Sequence, residues 1–329
     1  MRPARLAGPG AVHRHPALVP PWPGRHVELD GRRAYLREAA PVAAGTEPAL
    51  YLHGLGGSAH NWTDLAGLLA HRLHGYAVDL PGFGRSDPAA RYSLAAYGRW
   101  VARFVEQDGR GPVHLVGNSL GGVICVLVAA ARPDLVRTVT LISPAMPFLN
   151  PARSAQGRLV PMLALPRAAR LARRRLALVP PEELARQVLE ACFGRPERLH
   201  PVRMAESVAE TRLRYDTPWH MDAYLGVMRS LVAGYLRAYL PGDGSLWRLA
   251  ARVGAPTLVV GGRLDRLVDP AVPARVAQAI PDARLLLLDD VGHVAQMEVP
   301  EVTARAIVAL LDEGSRRPER RAGANRGLP

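Results

Sequence analysis

One short segment limits what this chain can fold into more than any other feature. Residues 117–121 read G-N-S-L-G and stand between an apolar, strand-like run at 113–116 and an apolar, helix-like run at 120–131. Small residues let the chain turn sharply from strand into helix, and the turn leaves the serine hydroxyl exposed at the helix N-terminus. This context predicts that Ser119 is a nucleophile at the carboxyl edge of a sheet.

From about residue 27, short runs rich in β-branched residues alternate with longer runs of helical period. Strands are predicted at 33–38, 49–52, 76–78, 113–116, 138–142, 256–260 and 284–288, with a weaker one near Val27. Helices are predicted at 61–70, 94–108, 120–131, 270–279 and 301–311. Alternation of this kind predicts an α/β fold with a mostly parallel sheet.

Residues 145–245 interrupt the alternation. They contain no strand-like run, are punctuated by prolines and have helix-like segments at 182–192 and 224–239. Because the parallel pattern resumes at Ala255, we predict a helical insertion into one unit whose core comprises residues 27–144 and 246–312. Apolar side chains of the insertion at helical spacing favour its own core over a pocket wall. They include Met146, Phe148, Leu163 and Met228.

Positive charge is concentrated at the two ends of the chain. The formal net charge of +13 comes from arginine alone, because the sequence has no lysine. Residues 1–26 contain four arginines and no acid, and residues 314–329 contain five arginines and one glutamate. Charged segments rich in Pro and Gly are typical of disordered tails, so we predict tails at 1–26 and 313–329 rather than a surface for nucleic acid or lipid.

Composition argues against several classes of protein. The sequence offers no window of roughly 18 consecutive apolar residues for a membrane span, and Pro and His interrupt the N-terminus where a signal peptide needs its apolar core. Cys125 and Cys192 are too few for a disulfide framework and stand in no metal-ligand or redox spacing, so we expect buried thiols. We therefore predict a cytoplasmic protein without a metal, a cofactor or stable membrane insertion.

A serine hydroxyl needs a base to take its proton as it attacks, and a loop histidine meets that need. His293 follows a strand-like run near the C-terminus and precedes the last predicted helix. For the acid that orients it we select Asp265, which follows another strand-like run. Asp269 comes directly before a proline and an apolar helix, as a helix cap does, and Asp290 stands too near His293 in sequence.

A glycine-rich turn follows the first apolar strand and reads H-G-L-G-G-S at 53–58. Such a turn can aim a backbone N–H at the anionic oxygen of a tetrahedral intermediate. We predict that Leu55 supplies one donor and that Leu120, directly after the serine, supplies the other. The turn lacks the Gly-Lys-Ser/Thr ending of a phosphate-binding loop and the G-x-G-x-x-G spacing, which argues against nucleotide binding.

Five landmarks in this order resemble the α/β-hydrolase superfamily. They are the 53–58 turn, D-L-P-G-F-G-R-S-D at 79–87, the segment 117–122, Asp265, and the Gly-His pair that ends at His293. The resemblance covers about residues 27–312. It implies an α/β-hydrolase fold, with a mostly parallel eight-stranded sheet flanked by helices and with residues 145–245 as an inserted helical cap.

The resemblance leaves two hydrolytic activities open. An esterase or lipase-like enzyme needs only the three side chains, the two N–H donors and an apolar acyl pocket, so we expect a small-molecule carboxylic ester hydrolysed through an acyl-enzyme on Ser119. Residues 117–119 and 292–298 are also similar to the branch that hydrolyses carbon–carbon bonds in ring-cleavage dienoic acids, which carries tryptophan where this chain has Val294. Dehalogenases and epoxide hydrolases are excluded because their nucleophile is aspartate.

Two interpretations without catalysis explain less of the sequence. A binding module on a hydrolase fold has no need of serine, acid and histidine in register, and a binder of nucleic acid or membrane surfaces should show a clustered basic face. We therefore predict an enzyme with a small-molecule acyl substrate and no nucleic-acid partner. A homodimer stays open.

Overall fold

The computed structural model describes residues 1–13, 18–148, 178–238, 240 and 245–315. Its centre is a sheet whose strands are β1 Arg2–Pro3, β2 Gly24–Leu29, β3 Arg32–Ala39, β4 Glu47–Leu52, β5 Leu73–Val78, β6 Val113–Asn118, β7 Val136–Ile142, β8 Thr257–Gly262 and β9 Ala283–Leu288. The strand order is β1-β9-β8-β7-β6-β4-β5-β3-β2. Within the described residues, the antiparallel pairs are those of β3 with β2 and with β5, and all other pairs are parallel, which confirms the predicted α/β fold with a mostly parallel sheet.

Helices cover both faces of the sheet and connect its strands. They are α1 Thr63–Leu69, α2 Leu94–Asp108, α3 Leu120–Ala131, α4 Pro181–Cys192, α5 Pro201–Asp216, α6 His220–Arg237, α7 Leu246–Ala251, α8 Val272–Ala279, α9 Ala295–Glu298 and α10 Pro300–Ser315. Side chains alternate across each strand, so β4 sends Leu50 and Leu52 to the face covered by α2 and α3. It sends Ala49 and Tyr51 to the face covered by α1 and α10.

Helices α4, α5 and α6 lie within the predicted insertion. Helix α5 has no counterpart in the sequence prediction, because its buried side chains are Arg203, Glu210 and Thr211 rather than an apolar stripe. Met146 and Met228 are buried, and Phe148 is half-buried against the ring of Tyr235. Leu163 lies outside the described residues. None of the described helices is both long and apolar enough to cross a membrane.

The N-terminal residues differ from the disordered tail predicted at 1–26. Strand β1 pairs in parallel with β9 and gives the sheet its ninth strand, where eight were predicted. The backbone N–H of Ala4 donates to the carbonyl of Leu285 at 2.8 Å, and Val12 is 6% exposed. Strand β2 already begins at Gly24. The sheet edge supplies backbone partners that composition does not reveal. At the other end, residues 313–315 belong to α10, and 316–329 lie outside the described residues.

Candidate active site

The turn between β6 and α3 holds Ser119 in a rare backbone conformation. Its φ is 53° and its ψ is −112°, a combination that costs on the order of 1–3 kcal/mol in a residue with a Cβ. The surrounding packing maintains it: a Cβ added at Gly117 would lie 2.4 Å from the carbonyl oxygen of Gly121, and one at Gly121 would lie 2.0 Å from that of Leu52. Both positions therefore require glycine, and the helix begins directly against the sheet.

His293 and Asp265 meet as the sequence predicts. The imidazole Nδ1 lies 2.8 Å from Asp265 Oδ2, and both side chains are buried. Asp265 Oδ1 accepts hydrogen bonds from the backbone N–H groups of Leu267 and Val268 at 2.8 and 3.0 Å. Burial acts to raise the pKa of Asp265, but the attraction and hydrogen bond of His293 and the two N–H donors outweigh it and hold that pKa below its usual value.

The two competing aspartates have other partners. Asp269 Oδ1 accepts from the backbone N–H of Ala271 at 3.0 Å, at the entrance to α8. Asp290 forms an exposed ion pair with Arg198, which lowers the pKa of Asp290 through its hydrogen bond. Of the three candidates, Asp265 is thus the one in contact with His293.

His53 fixes the shape of the 53–58 turn. Its Nε2 accepts the backbone N–H of Leu80 at 3.0 Å, so the proton resides on Nδ1, which donates to the carbonyl of Gly54 at 2.7 Å. Burial lowers the pKa of His53 to about 4, which keeps this ring neutral at pH 7. A Cβ added at Gly54 would lie 3.2 Å from the Cβ of Ser119, so the turn runs directly beside the predicted nucleophile.

Each of the two predicted N–H donors directly follows a residue of the contact between Gly54 and Ser119. Leu120 is the first residue of α3, where a backbone N–H has no intrahelical acceptor. Leu55 follows Gly54 in the turn. Within the described residues, neither N–H donates to a backbone or side-chain oxygen. Both N–H groups therefore remain available to another acceptor.

Asn118 ties the serine turn to the histidine loop, a role that the sequence did not reveal. Its Nδ2 donates to the carbonyls of Ile142 at 3.1 Å and His293 at 3.0 Å, and the side chain is buried. An amide that donates to a residue 175 positions away has no local signal in the sequence.

Glu298 is a second residue whose role is visible only in three dimensions. Its Oε2 accepts the backbone N–H groups of Gly292 at 2.8 Å and Gly194 at 2.9 Å, and its Oε1 accepts that of Arg195 at 2.8 Å. The N–H of His293 donates to the carbonyl of Cys192 at 2.7 Å. The loop that carries the histidine is therefore bound directly to the end of α4 in the insertion.

Asp79 stabilises the remaining landmark, the D-L-P-G-F-G-R-S-D segment. Its carboxylate accepts from the backbone N–H groups of Ala59 at 2.6 Å and Arg85 at 2.8 Å. A Cβ added at Gly84, where φ is +53°, would lie 2.0 Å from this carboxylate. Burial raises the pKa of Asp79 to about 6. Asp79 thus fixes the shape of this loop and ties it to the residue that follows the 53–58 turn.

Comparisons with known proteins agree with this fold. Residues 48–300 match the family model described as the alpha/beta hydrolase fold. The chain is 30% identical over 280 residues to the dihydrolipoyllysine-residue acetyltransferase component of the acetoin cleaving system of Cupriavidus necator, covering 82% of this chain and 64%, less than two thirds, of that protein. It is 26% identical over 281 residues to monoacylglycerol lipase ABHD6 of Homo sapiens, covering 81% of this chain and 76% of the lipase. The solved structure of a membrane phospholipase A has 27% identity and a TM-score of 0.69 over 90% of this chain and 87% of that chain.

Proposed function

The chain belongs to the α/β hydrolase fold family, and from this premise we propose that it is a serine hydrolase that cleaves a carboxylic ester through an acyl-enzyme on Ser119. The observation that carries the proposal is the 2.8 Å contact between His293 Nδ1 and Asp265 Oδ2. The carboxylate fixes the proton on Nδ1 and leaves Nε2 as the base.

In the proposed reaction, Ser119 Oγ attacks the ester carbonyl carbon while His293 Nε2 takes the hydroxyl proton. The tetrahedral oxyanion accepts hydrogen bonds from the N–H groups of Leu55 and Leu120. Such donors are worth about 3 to 4 kcal/mol each in the transition state. Collapse releases the alcohol, which takes the proton from the imidazolium. Water, deprotonated by His293, then hydrolyses the acyl-enzyme and regenerates Ser119.

We assign the described helices α4, α5 and α6, which lie within the predicted insertion 145–245, as a cap over this site. Two hydrogen bonds support the assignment, because they fasten the insertion to the histidine loop. The N–H of Gly194 donates to Glu298, and the N–H of His293 donates to the carbonyl of Cys192 at the end of α4. A cap excludes water from the reacting groups and strengthens the electrostatic stabilisation of the oxyanion.

The proposal is tested by turnover of a ladder of p-nitrophenyl esters, beside one ring-cleavage dienoic acid, with purified wild-type protein. Ser119→Ala should abolish ester turnover while leaving the melting temperature unchanged. Asp265→Asn should reduce kcat by roughly 10⁴-fold, because an amide does not fix the histidine tautomer. Preference for the dienoic acid would favour the carbon–carbon hydrolase, and ester turnover that survives in Ser119→Ala would contradict the proposal.

A further inference from the structure

A cavity opens between the β2–β3 hairpin and α2. Its volume is about 420 Å³, within the range of roughly 300–1,000 Å³ that is typical of small-molecule sites. Its described lining falls within residues 29–34, 81–91 and 96–103, and it includes neither the three proposed catalytic side chains nor the glycine-rich turn at 53–58. The cavity is therefore separate from the candidate active site.

Part of the lining is apolar and held in place by the core. Leu29, Pro81 and Tyr97 are buried, and the hydroxyl of Tyr97 donates to the carbonyl of Pro81 at 2.7 Å. Trp100 is half-buried, and its ring stacks on that of Phe104 with centroids 5.6 Å apart. An apolar or aromatic group of a ligand can pack against these side chains without breaking a hydrogen bond of the protein.

The rest of the lining is strongly basic. It contains five arginines and two aspartates, which gives a formal excess of three positive charges. Each aspartate neutralises one arginine. Arg33 pairs with Asp87 at 3.3 Å, and Arg103 pairs with Asp30 at 2.7 Å. The excess of positive charge therefore belongs to the other three arginines of the cavity.

Among the residues that the structure describes, these three arginines have no carboxylate partner. Arg32 donates to the backbone carbonyl of Pro88, and Arg91 and Arg99 form no ion pair. All three are exposed, so their guanidinium groups are accessible to a ligand. A cleft lined by charges of one sign attracts ions of the opposite sign and raises their local concentration. The cavity therefore suits an anion with more than one negative charge.

We propose that this cavity binds a small organic phosphate ester, with its phosphate on the three unpaired arginines and its organic group against Tyr97 and Trp100. At neutral pH a phosphate monoester carries a charge of about −1.5 to −2 and offers three acceptor oxygens. A guanidinium binds phosphate through two parallel hydrogen bonds. A single carboxylate would neutralise only one of the three guanidinium groups. This inference does not depend on ester hydrolysis at Ser119.

The shape of the cavity favours a soluble ligand over a lipid surface or a nucleic acid. Proteins that lie on a membrane insert apolar side chains into it, whereas none of the described lining residues is a large, exposed hydrophobic one. A nucleic acid needs a row of phosphate contacts along its backbone. One cavity of about 420 Å³ holds one small molecule.

Isothermal titration calorimetry of the full chain with naphthyl phosphate tests the proposal. Inorganic phosphate is titrated in parallel and supplies the anion without the organic group. We expect naphthyl phosphate to bind at one site, about tenfold or more tightly than inorganic phosphate, because its ring buries apolar surface against Trp100. Added salt should weaken this binding, because it screens the exposed arginines.

Variants with one arginine removed separate the cavity from the general positive charge of the chain. Arg91→Gln and Arg99→Gln should each weaken the binding of naphthyl phosphate by about 3- to 10-fold, the size of one exposed charge-assisted contact. The matched control is Arg5→Gln, which removes the same charge. Arg5 is exposed and follows β1, at the opposite edge of the sheet from β2. This control should keep the wild-type affinity, and all three variants should keep the wild-type melting temperature and ester turnover.

Each of four results would overturn the proposal. The first is the absence of saturable binding of naphthyl phosphate at low ionic strength, and the second is equal affinity for inorganic phosphate. The third is equal weakening in Arg5→Gln, which would show that net charge rather than the cavity attracts the ligand. The fourth is binding to vesicles that contain phosphatidic acid, lost in Arg91→Gln, without binding of naphthyl phosphate, which would assign the arginines to a lipid headgroup. Ester turnover is measured separately, so none of these results bears on Ser119.

Discussion

Asn118 Nδ2 donates a hydrogen bond to the backbone carbonyl of His293 at 3.0 Å, although the two residues are 175 positions apart. The same amide nitrogen donates to Ile142, so one buried side chain connects the ends of β6 and β7 with the histidine loop. The residue before the proposed nucleophile therefore sets the position of the loop that carries the proposed base.

Asn118→Ala should lower both stability and turnover. It leaves the carbonyl of His293 without this donor, while the carbonyl of Ile142 still accepts the N–H of Ser119 at 2.9 Å. We expect a loss of about 1 to 3 kcal/mol in the free energy of unfolding. The histidine loop loses its attachment to the serine turn, so kcat should fall by roughly tenfold or more while KM changes little. Urea unfolding and steady-state kinetics measure the two effects. Unchanged kcat would contradict the positioning role.

Gly121→Ala should prevent folding. The added Cβ would lie 2.0 Å from the carbonyl oxygen of Leu52, and neither the strand nor the helix can move apart without opening the core. The matched control is Gly254→Ala, where a Cβ meets nothing within 4 Å. Soluble yield and circular dichroism provide the comparison. A folded Gly121→Ala protein with wild-type stability would show that α3 does not start against β4.

Below pH 7, kcat/KM should fall as the enzyme takes up no more than one proton. The pKa of Asp265 is held below its usual value by His293 and two N–H donors, so this carboxylate stays ionised as the pH falls from 7 to about 4.5. Asp265 should therefore add no proton to the acid limb of kcat/KM, whose slope in a logarithmic plot should not exceed one. A slope of two across this range would mean that Asp265 also takes up a proton.

The N-terminal segment should contribute to stability. Val12 is 6% exposed and packs with the cluster under α1 and α10, so Val12→Ala should cost about 1 to 2.5 kcal/mol of unfolding free energy. Val42→Ala serves as the control because Val42 is 48% exposed, and it should change stability by less than about 0.5 kcal/mol. Equal, negligible effects of both substitutions would favour a solvated tail.

The sequence predicted those features of the fold and of the site that depend on residues close together in the chain. The strand–turn–helix around Ser119 is local, and the loops that carry Asp265 and His293 each follow an apolar strand, so their meeting at one sheet edge could be predicted. The pairing of β1 with β9 could not, because it joins residues more than 280 positions apart.

Buried charged residues explain why helix α5 was not predicted from the sequence. Helix α5 buries Arg203 and Glu210 in place of an apolar stripe, and ion pairs with core side chains make this burial possible. Those partners are far away in sequence, so no local pattern reveals the burial.

The most direct test of the central proposal is to trap the acyl-enzyme. Wild-type protein is mixed with a p-nitrophenyl ester, quenched in acid within milliseconds and examined by intact and peptide mass spectrometry, with Ser119→Ala treated in parallel. We predict a mass increase equal to the acyl group on the peptide that contains Ser119 and no increase in the variant. Acylation of another residue, or turnover without any acylated protein, would contradict Ser119 as the nucleophile.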